Sequence, residues 1–281
     1  MDHQKHIFTT LLNQAICCLI FFALMIIFIP QIARAFCHET ELVGDWPFRI
    51  IPAATRSSSI TIEWLGHSAF RLTSFHGTKV LMDPHGREGT PAAGIPSHVV
   101  TTSHLHGNHS FIWMASGDPI LLHGLNLRDG DWNRIHKTIR DVSFFTVPTY
   151  HDSQLGLARG KNAVFVVSMD EICVAHLGDL GHLFNENQIK MLGKIDVLFV
   201  PLGQGGFRIT TEDAVKIVGQ VKPKIVIPYH YRWEGYVEEF AQTFKRVRKV
   251  KGNRVRLSKD NLKKNSELEI IVLQDTMMED Q

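Results

Sequence analysis

The densest chemistry in the chain is the stretch Ser103-His104-Leu105-His106-Gly107-Asn108-His109, directly after the apolar run Val99–Thr102. Imidazole nitrogens are the commonest protein ligands for zinc-type ions, and a loop at a strand's end can turn several of them towards one point. His104 and His106, two apart, can converge on one ion, while Asn108 and His109 turn towards a second. Spacing alone leaves a histidine-rich surface loop equally open. Three further loops add weight. Tyr150-His151-Asp152 follows Ser143–Pro148, His176-Leu177-Gly178-Asp179-Leu180-Gly181-His182 follows Ile172–Ala175, and Tyr229-His230-Tyr231 follows Ile225–Pro228. Each places a His or Asp just beyond an apolar run, and strand ends along one sheet edge lie close in space. Sixteen histidines against four tyrosines fit the same chemistry. No Gly-x-Ser-x-Gly elbow is present to supply a serine nucleophile.

The elements that must position these groups are short and strand-rich at first. Ile60–Trp64, Ala69–Thr73, Lys79–Asp83, Val99–Thr102 and Ile120–His123 are brief, β-branched or aromatic, and bounded by turn residues. Ser143–Val147, Ala163–Val167 and Ile172–Ala175 follow, the last two as a hairpin across Asp170-Glu171. From Asn185 strands alternate with helices. Asn185 caps a helix to about Leu192, Thr210 or Thr211 caps another to about Gln220, and Tyr236 to about Lys249 reads as an amphipathic helix. Asp196–Pro201, Lys224–Ile227 and Glu267–Leu273 are the intervening and closing strands. This order predicts an α/β fold of two sheets with helices outside, in one domain over residues 60–275.

Several stretches resemble the metallo-β-lactamase superfamily of hydrolases: Trp64-Leu65-Gly66-His67-Ser68, Leu81-Met82-Asp83-Pro84, His104 to His109, Thr149 to Asp152, Arg159-Gly160-Lys161-Asn162, His176 to His182, and Pro223 to Tyr231. Within it the chain is most similar to the ascorbate-phosphate lactonase-like branch of metal-dependent hydrolases, over about Thr61 to Tyr231. The resemblance implies an αββα sandwich of two mixed sheets with helices on the outer faces. It implies one or two Zn2+ ions, with Mn2+ or Fe2+ as alternatives. His104, His106 and His151 would hold the first ion, Asp179 would bridge, and His109 and His230 would hold the second. Asp83 would accept the other N–H of a ligand imidazole; a strand-ending Asp-Pro turn is its plainer reading. His67 falls near the site without an assigned role.

The family pattern His-x-His-x-Asp-His carries Asn108 where the Asp stands. Asparagine offers an oxygen but no charge and no base. Asn108 and Asp179 are therefore the candidate catalytic groups, and the second site should bind its ion more weakly. The implied activity is attack by a metal-bound hydroxide on a small-molecule lactone, ester or phosphodiester. Two alternatives stand beside it: a secreted metal-binding or sensory protein with little turnover, and a phospholipase D-like phosphodiesterase. Tyr231, Arg232 and Trp233, next to His230, are candidate substrate contacts.

Lys5 and His6, the apolar run Ala15–Ile29 and the small-x-small signal Ala33-Arg34-Ala35 read as a secretory signal peptide over residues 1–35. The run is short of the roughly 20 residues that span a bilayer, though retention as a membrane anchor is the rival. Export to a periplasmic or extracellular compartment follows, with residues 36–59 a connector and 276–281 a tail. Cleavage leaves Cys37 and Cys173, too few for a Cys-rich zinc site and too distant in sequence to pair on that ground alone. Gly203-Gln204-Gly205-Gly206 reads as a tight turn beside the site. Lys245, Arg246, Arg248, Lys249, Lys251, Arg254 and Arg256 read as a solvated basic face with no nucleic-acid partner, since no aromatic platform interleaves them and Lys and Arg suit a helix's last turns; the net charge of +2 argues neither way.

Overall fold

The computed structural model describes residues 37, 58–86, 94–203, 209–231, 233–264 and 267–274. The leader, nearly all of the connector, Gln204 to Gly206, Arg232 and the tail lie outside the described residues. The first half is β1 (Ser59–Trp64), β2 (Phe70–Thr73), β3 (Lys79–Met82), β4 (Ile95–Pro96), β5 (Val99–Thr102), β6 (Ala115–Ser116), β7 (Ile120–His123), β8 (His136–Ile139), β9 (Val142–Tyr150), β10 (Lys161–Met169) and β11 (Ile172–His176). The second half alternates α1 (Glu186–Leu192), β12 (Val197–Pro201), α2 (Thr211–Val221), β13 (Ile225–Tyr229), α3 (Glu234–Gln242), β14 (Val247–Lys249), β15 (Arg254–Ser258), α4 (Lys259–Lys264) and β16 (Glu269–Val272).

Two mixed sheets result, one in the order β15-β1-β2-β3-β5-β7 and one in the order β14-β16-β13-β12-β11-β10-β9-β8. They meet through side chains such as Phe70 and Phe199, whose rings stack with centroids 4.1 Å apart. β11, β12 and β13 run parallel because α1 and α2 return the chain between them. Such strands are covered on both faces, and every residue of β12 and β13 is buried. α1 opens on a capping box between Asn185 and Gln188, and α2 on the Thr210 hydroxyl, which accepts from the Asp213 N–H. The β10–β11 hairpin turns at Asp170-Glu171, both at positive φ, as a tight two-residue turn requires.

On its other face the first sheet carries a small cluster of Ala69, Leu81, Ile95, Val100 and Met114. A 3-10 turn, Ile112–Met114, supplies part of that cover, so the outer layer is thinner here than the expected helix.

The basic end of the chain departs from expectation. The helix expected over Tyr236–Lys249 stops at Gln242, where the Thr243 hydroxyl donates back to the Phe240 carbonyl. β14 then adds to the sheet edge beside β16. Arg246 and Arg248 both reach the buried carboxylate of Glu269, at 3.4 and 3.2 Å. β15, unmarked in the sequence reading, pairs along β1, and Arg254 lies 2.7 Å from Glu63. Its alternation of Arg out and Val or Leu in has a strand's period of two.

Cys37 and Cys173 form a disulfide, with Cα atoms 5.8 Å apart, which the sequence left open. Both are buried, and the Cys37 carbonyl accepts the Lys194 N–H at 2.8 Å.

Candidate metal centre

Six strands end where the chemistry gathers. His67 follows β1, Asp83 follows β3, the His104–His109 loop follows β5, His151 follows β9, Asp179 follows β11 and His230 follows β13. Asp179 is the hub, buried with its two oxygens among imidazoles. Its Oδ2 lies 3.0 Å from His151 Nε2, 3.1 Å from His109 Nε2 and 3.9 Å from His104 Nε2. Its Oδ1 lies 3.1 Å from His230 Nε2.

The loops are tightly constrained. His67, Asp83 and His230 all have positive φ, at 48°, 44° and 64°, conformations that non-glycine residues adopt at a cost of order 1–3 kcal/mol and that cluster at functional sites. Gly178 enables the Asp179 turn. Its φ is 59°, and a Cβ there would fall 2.3 Å from Asn162 Oδ1 and 2.6 Å from Ser103 Cβ. That same Asn162 oxygen accepts the Asp179 N–H, while its amide donates to the Leu177 carbonyl and Thr149 Oγ1. Asp152 holds the loop after His151 by accepting four backbone N–H groups, from Gln154, Gly156, Ala158 and Arg159.

Asp83 organises the histidine-rich loop from beneath. It accepts the Ser103 N–H at 2.7 Å and the Ser103 hydroxyl, and it lies 2.9 Å from His109 Nδ1. An acceptor on Nδ1 fixes the tautomer and aims Nε2 at Asp179. His176, equally buried, lies outside this role: its Nε2 donates to the Ser68 carbonyl and its Nδ1 accepts the Gly178 N–H.

Electrostatics separate the imidazoles. Burial, joined by the His109 charge, pushes His104 down to about 3, against the pull of Asp179, so its imidazole is neutral. His109 feels the opposite balance. Burial lowers it, but the Asp179 charge and its hydrogen bonds to Asp179 and Asp83 raise it to about 9. Asp179, despite burial, is held well below the carboxylate range by His109 and His230. With no metal ion, a proton on His109 thus offsets part of the charge on the two carboxylates.

The residues fit a cation. His104 Nε2 and Asp179 Oδ1 are buried without a hydrogen-bond partner among the described residues, a costly state that a bound cation relieves. Ligands about 2.1 Å from a tetrahedral centre stand about 3.4 Å apart, close to the 3.0–3.9 Å spacings around Asp179. Three groups have ligand atoms within 4.8 Å of one another: His104, His151 and Asp179; His104, His106 and His109; and His67, His109 and His230.

Of the expected ligands, His104, His151 and Asp179 meet in one group and His109 and His230 in another, while the exposed His106 groups with His104 and His109 rather than with His151; Asp83 lies behind His109. His67 stands closer than its sequence motif suggested, with its ring centroid 3.8 Å from that of His230. Asn108 is half-buried. Its carbonyl accepts the Ser68 hydroxyl at 2.8 Å, and its side chain makes no hydrogen bond among the described residues. Tyr231, expected to contact substrate, is instead buried against Trp64, with ring centroids 5.4 Å apart. Its ring completes the core at the sheet's end, so it is withdrawn from the contact set. Trp233 is exposed at the start of α3. Asn162, Ser103 and Ser68 are positioning residues that the sequence does not reveal: all three fall inside the motif stretches, but a neutral polar side chain gives no sign of its partner.

A family model described as a beta-lactamase superfamily domain matches residues 61–230. A metal-dependent hydrolase of Archaeoglobus fulgidus is 31% identical over 68% of this chain and 91% of its own length. One from Thermococcus kodakarensis is 30% identical over 67% of this chain and 92% of its own. Among solved structures, a Thermotoga maritima protein described as a Zn-dependent hydrolase of the metallo-beta-lactamase superfamily is similar with a TM-score of 0.60 and 30% identity, over 76% of this chain and 98% of that one.

Proposed function

The chain belongs to the beta-lactamase superfamily as a metal-dependent hydrolase, and on that premise we propose that it cleaves a small-molecule ester, lactone or phosphodiester with one or two zinc ions. The observation that carries the reading is the convergence of four imidazole Nε2 atoms on the buried carboxylate of Asp179. His104, His106 and His151 would hold the first ion, with Asp179 shared, and His109 and His230 would hold the second, with Asn108 or His67 beside them. When bound, such ions lower the pKa of water towards neutrality and polarise the scissile oxygen.

The protein's own groups set the stage for that chemistry. Asp83 keeps His109 Nε2 pointed inward, and Ser103, by donating to Asp83, keeps Asp83 in place. Asn162 and Gly178 fix the height of the Asp179 carboxylate. Because Asn108 is neutral, residue 108 supplies no base to such chemistry. The buried Cys37–Cys173 disulfide supports a working place outside the cytosol, where such bonds persist.

The test is metal analysis of the purified protein with a panel of ester, lactone and phosphodiester substrates, for wild type and His151→Ala. Stoichiometric zinc and a loss of about a hundredfold or more in the variant are expected. Wild type free of transition metal after metal-replete expression would overturn the site. Stable metal without turnover on any head group would leave the sensory reading, which the uncharged Asn108 favours.

A further inference from the structure

Four of the five most exposed large apolar side chains among the described residues, Leu157, Trp113, Leu155 and Trp233, sit on loops that carry the candidate ligands. Leu105 and Leu183, also exposed, sit on two more stretches of the same loops. Chain connectivity bounds their distance from the centre. Leu105 lies between His104 and His106, Trp233 three residues past His230, and Trp113, Leu155 and Leu183 four residues past His109, His151 and Asp179. Four residues span at most about 14 Å. Aliphatic and indole surface left in water on loops that carry a polar centre is a cost that an apolar partner would remove.

We propose that this rim is a subsite for an aliphatic chain, so that the substrate is an amphiphile whose hydrolysable head meets the metal centre and whose chain lies over the rim. The proposal rests on the hydrolytic reading and names its substrate class. A protein partner or second copy seated on the same loops would close the centre to any substrate, whereas a substrate's own chain uses both features together. Asp152 supports the assignment. Its four backbone acceptances hold the loop that presents Leu155 and Leu157 in a fixed shape, so their exposure is built in rather than incidental.

The experiment uses the metal-loaded full-length protein and two readouts. In the first, the head group selected by the substrate panel is carried on chains of four to twelve carbons, kept below the aggregation threshold. kcat/KM should rise about two- to fourfold per added methylene and then level off once the chain outruns the rim. In the second, tryptophan fluorescence follows binding of sodium alkanoates of the same lengths, which needs no turnover. The double variant Leu155→Ser, Leu157→Ser, with an unchanged melting temperature, should lose most of both slopes. Flat chain-length profiles would overturn the proposal while leaving hydrolysis intact. Turnover or binding that begins only with phosphatidylglycerol vesicles would overturn it in favour of a membrane-docking face. A concentration-dependent dimer whose formation abolishes alkanoate binding would overturn it in favour of a self-association face. Rising alkanoate affinity with no turnover on any head would uphold the rim and defeat the hydrolytic reading instead.

Discussion

At residue scale, His109 lies fully buried between Asp83 and Asp179, and its proton offsets part of their charge when no metal is bound. Its pKa is raised to about 9 from an ordinary value near 6.5. A raised pKa contributes stability that is fully present below the unfolded value and lost as pH climbs through the folded one. Metal-free protein should therefore lose about 3 kcal/mol between pH 6.5 and 9.5, read as a falling denaturant midpoint. Asp179→Asn should flatten that loss. Loaded protein should behave oppositely over the lower part of the range, because metal and proton compete for the same nitrogen. Asn108 and His67 form the second test at this scale. If His67 serves the second ion in place of the missing Asp charge, His67→Ala should cut bound metal from two equivalents to one, and adding Asn108→Asp should restore it. Elemental analysis decides, and an unchanged stoichiometry in His67→Ala assigns that imidazole to packing. The ligands were legible because histidine and aspartate advertise their chemistry at strand ends. His67 was legible only as a motif, since its nearness to His230 depends on β1 and β13 meeting across the two sheets.

At element scale, short turns place the ligands more than long helices do. Gly178 shows the dependence most sharply, with positive φ and no room for a methyl group. Gly178→Ala should destabilise the fold by about 2 kcal/mol or more and lower metal occupancy, measured by thermal melting and metal content together. Full occupancy with a lowered melting point would show that the Asp179 turn tolerates the shift. Elements were legible where period and caps agreed, as in α1 with its Asn185–Gln188 box and in the β10–β11 hairpin. The basic segment was misread as helix because Arg and Lys suit a helix's last turn. What decides it is tertiary: Glu269, buried on β16, pairs with Arg246 and Arg248, and the chain between Val247 and Lys249 lies along β16 as an edge strand.

At the scale of the whole molecule, the Cys37–Cys173 bond closes a loop with a sequence separation of 136. Loops of that size correspond to about 5 kcal/mol of chain entropy in the unfolded state, with 2–5 kcal/mol the usual measured cost of removal. Cys173→Ser should shift the denaturant midpoint accordingly and leave metal stoichiometry unchanged, because Cys173 lies near the start of β11 and Asp179 beyond its other end. Equal midpoints for wild type and variant would mean that the bond contributes no stability. The two-sheet architecture was legible from strand density followed by alternation. Strand order was not, since β1 finds its outer partner in β15, almost two hundred residues further on.

That pairing bears on how the chain comes to be folded at all. Ser59 to Glu63 cannot be covered on one side until Arg254 to Ser258 have left the ribosome, so the first sheet keeps an open edge through nearly the whole of synthesis. Open edges invite pairing with other chains, and closure by so remote a segment is entropically slow. Until β15 arrives, the side of β1 that it will cover is the place where a half-made chain is most exposed to mispairing.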